Sequence, residues 1–243
     1  LPEDVYNQND VLAPSEIISS FTFHRYTKQL VITANDHKHP NELYVGLYNS
    51  KKMKRITFSN TALEKVQFAR QETISWKARD GKTIQGVLTY PLVYRDGKRY
   101  PLILQIHGGP EGVSLDGWNT RVTYPIQLLA ANGYFVLEPN YRGSAGRGVA
   151  FSKLDHDDLG GEEFNDVLKG IDHLIEEGFV DKNQVGTGGW SYGGYFSALG
   201  ATRNSDRFKA SMVGAGRTNM ISFMGTTDIP YEMSIVHWNQ WWF

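Results

Sequence analysis

The sequence predicts an α/β fold: a mostly parallel sheet with helices on both faces, preceded by an antiparallel β segment the size of a propeller blade. Three observations carry that expectation. From about residue 100, apolar runs of buried-strand type alternate with amphipathic stretches, the order expected of β–α–β units. Short strand-like segments at hairpin spacing fill residues 20–60. Between a strand-like run and a helix-like run lies Gly189-Trp190-Ser191-Tyr192-Gly193, which fits the nucleophile-elbow pattern G-x-S-x-G.

In chain order, residues 1–19 read as polar and irregular. Strands are expected at residues 20–24, 30–33, 42–48 and 53–58, with Phe21 and Phe23 alternating onto one face of the first. Four strands in roughly 40 residues is one blade. Such a blade has nothing of its own to bury its second face against. Residues 59–70 read as a connector. A hairpin follows at 72–78 and 83–90, turning at Asp80-Gly81. Residues 100–106 are a run of large apolar side chains and end in His107-Gly108-Gly109-Pro110. A helix is expected over 119–132, from Val122, Ile126, Leu129 and Ala130, stopping at Asn132-Gly133. Another buried strand follows at 134–137. Over 161–177, Phe164, Val167, Leu168, Ile171, Leu174 and Ile175 fall on one stripe, and Gly178 stops the helix. The elbow strand, 184–188, leads into a helix over 192–204 and a last strand over 208–213.

Composition narrows the function. The 243 residues are 40% hydrophobic and 21% charged, as in soluble globular proteins. A net charge of −1 gives no electrostatic reason to expect nucleic acid or an anionic membrane as partner. The absence of cysteine excludes disulfides, thiol catalysis and thiolate metal sites. No apolar run approaches the roughly 18 residues of a membrane span. There is no phosphate-loop or dinucleotide fingerprint. His37 and His39 share a loop with no evident third ligand. No metal or cofactor is expected. The chain begins Leu1-Pro2-Glu3, without Met or signal peptide. Processing or excision from a longer polypeptide is therefore expected, and the compartment stays open between cytoplasmic and periplasmic or secreted.

The elbow supplies the chemistry. A serine at its ordinary pKa is a poor nucleophile and needs a base, an orienting acid and oxyanion donors. Ser191 is the candidate nucleophile. The backbone N–H of Tyr192 is one candidate oxyanion donor. The second is an N–H of the His107-Gly108-Gly109-Pro110 loop, with Gly109 favoured. Trp190 and Tyr192 are weaker candidates for the wall of a substrate pocket, with core packing the alternative. His107 is expected to orient its loop, and Arg142 and Asp166 to be structural. After Ser191 the acids Asp206, Asp228 and Glu232 and the single histidine His237 remain. His237 is a poor base candidate, because only one strand is evident between it and the elbow helix.

These motifs resemble a known family. Residues 101–110, Pro139-Asn140-Tyr141-Arg142-Gly143-Ser144 and Gly189-Trp190-Ser191-Tyr192-Gly193-Gly194-Tyr195 are similar to the prolyl oligopeptidase family of serine peptidases, in its acylaminoacyl-peptidase and dipeptidyl-peptidase-like branches. The resemblance runs from about residue 72 to the C-terminus, and residues 20–60 resemble the last blade of the family's β-propeller. It implies an α/β-hydrolase catalytic domain capped by a propeller and cleaving short peptides through an acyl-enzyme. It also implies that the triad Asp and His fall beyond residue 243. The expected division is a blade-like segment with connector over 1–70 and an incomplete catalytic domain over 71–243. The partner expected is a peptide substrate. The aromatic terminus Trp238-Asn239-Gln240-Trp241-Trp242-Phe243 also calls for a covering surface, either the remainder of the same polypeptide or a second copy. An esterase on the same fold and a catalytically inactive scaffold are the competing expectations, since the elbow does not separate ester from amide cleavage.

Overall fold

The computed structural model describes residues 17–233, apart from 49, 51 and 232. The expectations for residues 1–16, His237 and the aromatic terminus lie outside the described residues. The chain divides into two compact units. One comprises residues 1–68 with 115–120, the other residues 69–114 with 121–243.

The first unit is an antiparallel meander of β1 (Ile17–His24), β2 (Gln29–Asn35), β3 (Glu42–Leu47) and β4 (Met53–Arg55), in that spatial order. Ile32, Ala34, Tyr44 and Met53 form its small core. Alternation along β2 puts Ile32 and Ala34 on that face. Phe21 and Phe23 share a face of β1 but lie outside this core and are exposed. Glu42, buried at the start of β3, is satisfied by Arg55, by the hydroxyl of Thr57 and by the N–H of Ser59.

The second unit is built on a six-stranded sheet. Its strands are β5 (Gln71–Lys77), β6 (Thr83–Thr89), β7 (Tyr100–Ile106), β8 (Phe135–Asn140), β9 (Val180–Trp190) and β10 (Ala210–Gly214). The order across the sheet is β10-β9-β7-β8-β6-β5. Strands β8, β7, β9 and β10 run parallel, and the β5–β6 hairpin joins β8 antiparallel. Helices α1 (Ile126–Ala131), α2 (Val149–Ser152), α3 (Glu162–Glu176), α4 (Tyr192–Arg203) and α5 (Met220–Thr226) follow the strands. Both faces of the sheet are covered, and β8 shows it. Phe135 and Leu137 join the main core with α3 and α4, while Val136 between them packs with Ile126 and Leu129 of α1.

Several elements differ from expectation for physical reasons. The helix anticipated over 119–132 spans Ile126–Ala131 only. Pro125 immediately precedes it; proline is compatible with a helix start, not its interior. Val122 is 99% exposed, so it is no part of a packing stripe. The elbow strand runs from Val180 to Trp190, well beyond the five residues anticipated. Gly186 does not weaken it, because a Cβ there would lie 2.9 Å from Ile103 Cδ1 on the neighbouring strand. Helices α2 and α5 carry too few residues to show a period.

A buried ion pair fastens α3 to the loop after β8. Arg142 donates from Nε and Nη2 to Asp166 at 2.8 Å each, and its backbone N–H adds a third bond at 3.0 Å. The guanidinium also reaches the more exposed Asp80 at 3.2 Å. These contacts hold Arg142 above its ordinary range, the bond to Asp166 most strongly. Trp76 Nε1 donates to the Asp166 carbonyl at 2.8 Å, tying β5 to the same turn. Removing one partner of a buried pair strands the other. Asp166→Ala is therefore expected to lower the unfolding free energy by about 3–5 kcal/mol. Asp80→Ala should cost about 1 kcal/mol or less. Urea denaturation of the two variants checks the contrast.

Candidate active site

The sheet order locates the site before any side chain is considered. Strand β7 has β8 on one side and β9 on the other, so the connections leaving β7 and β9 part at a topological switch point. In open α/β sheets ligands bind outside the carboxyl ends of the strands at such a point. The two segments that end there are the His107-Gly108-Gly109-Pro110 loop after β7 and Trp190-Ser191 after β9.

Ser191 is the hinge between β9 and α4. Its backbone lies at φ 59°, ψ −119°, a conformation that costs a non-glycine residue energy and is held by its surroundings. Those surroundings are explicit. The Ser191 N–H donates to the Gly214 carbonyl at 2.9 Å, and its carbonyl accepts from Tyr195 N–H at 3.0 Å to start α4. The flanking glycines have no room for a side chain. A Cβ on Gly193 would lie 2.0 Å from the Ile106 carbonyl oxygen, and one on Gly194 would lie 2.3 Å from that of Gly214.

The loop after β7 meets the elbow through Gly108. A Cβ there would lie 3.2 Å from Ser191 Cβ and 3.7 Å from Ser191 Oγ. The next residue, Gly109, has φ +126°, a conformation that L side chains rarely adopt. The elbow and the glycine loop, far apart in sequence, are therefore brought together.

A buried polar layer fixes that loop from below. His107 stacks on Tyr141, ring centroids 4.5 Å apart. Its Nδ1 donates to the Gly108 carbonyl at 2.9 Å, leaving Nε2 to accept from the buried Ser144 hydroxyl at 3.0 Å. Burial pushes its pKa down to about 4, so the ring is neutral. The sequence placed His107 in the loop and Ser144 at the end of the 139–144 motif, but did not pair them.

The remaining candidates divide between core and surface. The Tyr192 side chain is fully buried, and its hydroxyl donates to Glu163 at 2.8 Å; it packs in the core, leaving only its backbone beside Ser191. Glu163 also accepts the N–H groups of Gly160 and Gly161, and burial pushes its pKa up to about 7. Trp190 is 51% exposed, and its N–H donates to the Tyr124 hydroxyl at 3.2 Å. Arg142 and Asp166 pair with each other as described. Tyr124 and Glu163 had no sequence signal, since each is a single polar residue in an apolar or loop context, and Ser144 stood in the 139–144 motif without a role of its own. Among the described residues Ser191 Oγ has no hydrogen-bonded base, and no histidine follows Ser191; His237 lies outside them.

The buried neutral His107 has a consequence for stability. Its folded pKa lies near 4 and its reference value is 6.5, so between these pH values the unfolded chain binds the proton and the folded chain does not. Its contribution is intact above pH 6.5 and is lost as pH falls toward 4. The loss amounts to roughly 3 kcal/mol at about 1.4 kcal/mol per pKa unit. His107→Gln lacks this titration, so the stability difference between wild type and variant should move against the wild type by that amount. Denaturation at pH 7, 5.5 and 4 reads it.

Comparison with known proteins places this geometry among relatives. Residues 120–242 match the sequence pattern of the prolyl oligopeptidase family. The uncharacterized peptidase YuxL of Bacillus subtilis is 32% identical over 225 residues, covering 89% of this chain and 32% of that protein. Dipeptidyl-peptidase 5 of Porphyromonas gingivalis is 31% identical over 207 residues, covering 83% of this chain and 30% of that protein. The acylaminoacyl peptidase of Pyrococcus horikoshii superposes with a TM-score of 0.81 at 26% identity, over 94% of this chain and 36% of that one. The chain thus spans about a third of the length of these relatives. The second unit has the α/β-hydrolase arrangement, and the first the antiparallel sheet of a propeller blade.

Proposed function

Because this chain belongs to the prolyl oligopeptidase family of serine peptidases, we propose that Ser191 is the nucleophile of a peptidase acting on short peptides through an acyl-enzyme. One observation carries the reading: Ser191 is held at positive φ on a strand-to-helix turn, with Gly108 against its Oγ side. The oxyanion formed on attack is held by the backbone N–H groups of Tyr192 and Gly109, supplied by two segments that meet only in the fold. Rigid backbone donors suit this task because they need no reorganisation as charge develops. Trp190, half exposed beside the nucleophile, offers an apolar surface to the acyl group. The relatives named dipeptidyl and acylaminoacyl peptidases support short peptides, with free or blocked amino termini, as the substrate class. In this reading the base and its orienting acid are supplied from outside the 243 residues, not by His237.

A fluorophosphonate probe offered to the 243-residue chain tests the assignment. Without a triad partner an oxyanion hole still confers residual reactivity. Slow labelling confined to Ser191, lost in Ser191→Ala and unchanged in His237→Ala, is expected, with little turnover of peptide amides. Labelling at a different residue overturns Ser191 as nucleophile. Ester turnover without any amide turnover overturns the peptidase reading. Fast labelling that His237→Ala abolishes overturns the external origin of the base.

A further inference from the structure

Among the described residues beside the elbow, Arg217 carries a charge that the proposed peptidase chemistry does not use. It lies three residues beyond Gly214, the residue whose carbonyl holds the Ser191 N–H. Its neighbour Gly216 packs on the elbow helix so closely that a Cβ on Gly194 would lie 2.9 Å from Gly216 Cα. The guanidinium is placed between two aromatic rings, 4.8 Å from the centroid of Tyr192 and 4.9 Å from that of Phe223 on α5. Tyr192 is the residue that directly follows the nucleophile.

Among the described residues this cation has no strong acceptor. Nε and Nη2 are shielded from water and, among the described residues, make no hydrogen bond. Nη1 meets only the thioether of Met233, at 3.1 Å, and thioether sulfur is a weak acceptor. Glu111, after the glycine loop, acts on Arg217 only through its field, alongside Tyr192, Tyr195 and Tyr141. Every other buried charge described above is matched: Arg142 by Asp166, Glu42 by Arg55, Glu163 by two N–H groups and a hydroxyl. Shielded guanidinium N–H groups that find no acceptor carry a desolvation cost. A carboxylate presents two acceptor oxygens in the geometry of the guanidinium fork.

Resting on the peptidase reading of Ser191, we propose that Arg217 is a specificity determinant that receives a carboxylate of the peptide substrate, so that the chain selects acidic peptides. Tyr192 and Phe223 lie within cation–π distance of the guanidinium. The acid is expected on the acyl side of the scissile bond, because Arg217 lies against the residue next to the nucleophile.

Binding tests the inference without requiring turnover. Acetyl-alanyl-glutamate amide, acetyl-alanyl-glutamine amide and acetyl-alanyl-glutamine with a free terminal carboxylate are titrated calorimetrically into the 243-residue chain. A charge-assisted pair predicts that the glutamate amide binds roughly ten- to hundredfold more tightly than the glutamine amide. Arg217→Met should abolish the difference. Arg217→Lys keeps the charge without the fork and should retain only part of it, which carries the test if the Met variant does not fold. Equal tightening by the free terminal carboxylate, also dependent on Arg217, supports the carboxylate site and identifies a chain terminus as a second source. Equal affinity for all three peptides, absence of binding, or a preference that survives Arg217→Met overturns the inference. It leaves the fluorophosphonate labelling of Ser191, and with it the peptidase reading, untouched. Labelling away from Ser191 together with an Arg217-dependent preference does the reverse.

Discussion

The contact on which this structure depends is backbone against backbone: Gly193 at the start of α4 against the carbonyl of Ile106 at the end of β7. A single carbon added at Gly193 would come within 2.0 Å of that oxygen. The approach follows from topology. Strands β7 and β9 are hydrogen-bonded neighbours, so a helix leaving β9 at once must pass over the end of β7. The turn is correspondingly sharp, and Ser191 at its apex takes a positive φ. The same crowding brings Gly108 up to the serine. Ser191 and the glycine loop are thus juxtaposed by main-chain packing, which side-chain repacking cannot easily disturb.

Beneath that backbone layer lie polar groups that are buried and paired. His107 is held between the Gly108 carbonyl, the Ser144 hydroxyl and the Tyr141 ring. Glu163 gathers two N–H groups and the Tyr192 hydroxyl. Arg142 and Asp166 close the next turn. Such networks confer rigidity only when their members are satisfied, and these serve to hold loops rather than to react. His107 illustrates the distinction. A histidine next to a candidate serine invites assignment as base, yet its two nitrogens are committed and burial keeps it neutral down to about pH 4.

Much of this was legible in the sequence, for identifiable reasons. The stripe Phe164, Val167, Leu168, Ile171, Leu174 spans about three turns, long enough for its period to stand out. The elbow and the glycine loop announce themselves because tight backbone packing demands glycine, and glycine is visible in one letter. Strand β9 starts earlier than expected: Asp181-Lys182-Asn183, near its start, are polar and carry no apolar signal. Only the position of Ile103 on the neighbouring strand shows why Gly186 is there. The helix at α1 was read too long because Val122 happened to fall in phase, though it points to solvent. The roles of Ser144, Tyr124 and Glu163 were invisible, since a polar residue acquires its role from partners 37, 66 and 29 positions away. Arg217 likewise gave no signal, because what distinguishes it is the absence of acceptors around Nε and Nη2 among the described residues.

Tyr192 connects these layers. Its hydroxyl is tied to Glu163, its ring face lies under the Arg217 guanidinium, and its backbone is set by the elbow. A side chain fixed at both ends leaves its own peptide group little freedom to turn. For an oxyanion donor that restriction is useful, since preorganised dipoles stabilise developing charge without reorienting. The buried tyrosine therefore does more than fill the core. It couples a buried acid on one side to a cation unmatched among the described residues on the other, through the residue whose N–H the proposed chemistry uses. An anion arriving at Arg217 would reach the same ring that orients this donor, so substrate charge and transition-state charge would be sensed through one side chain.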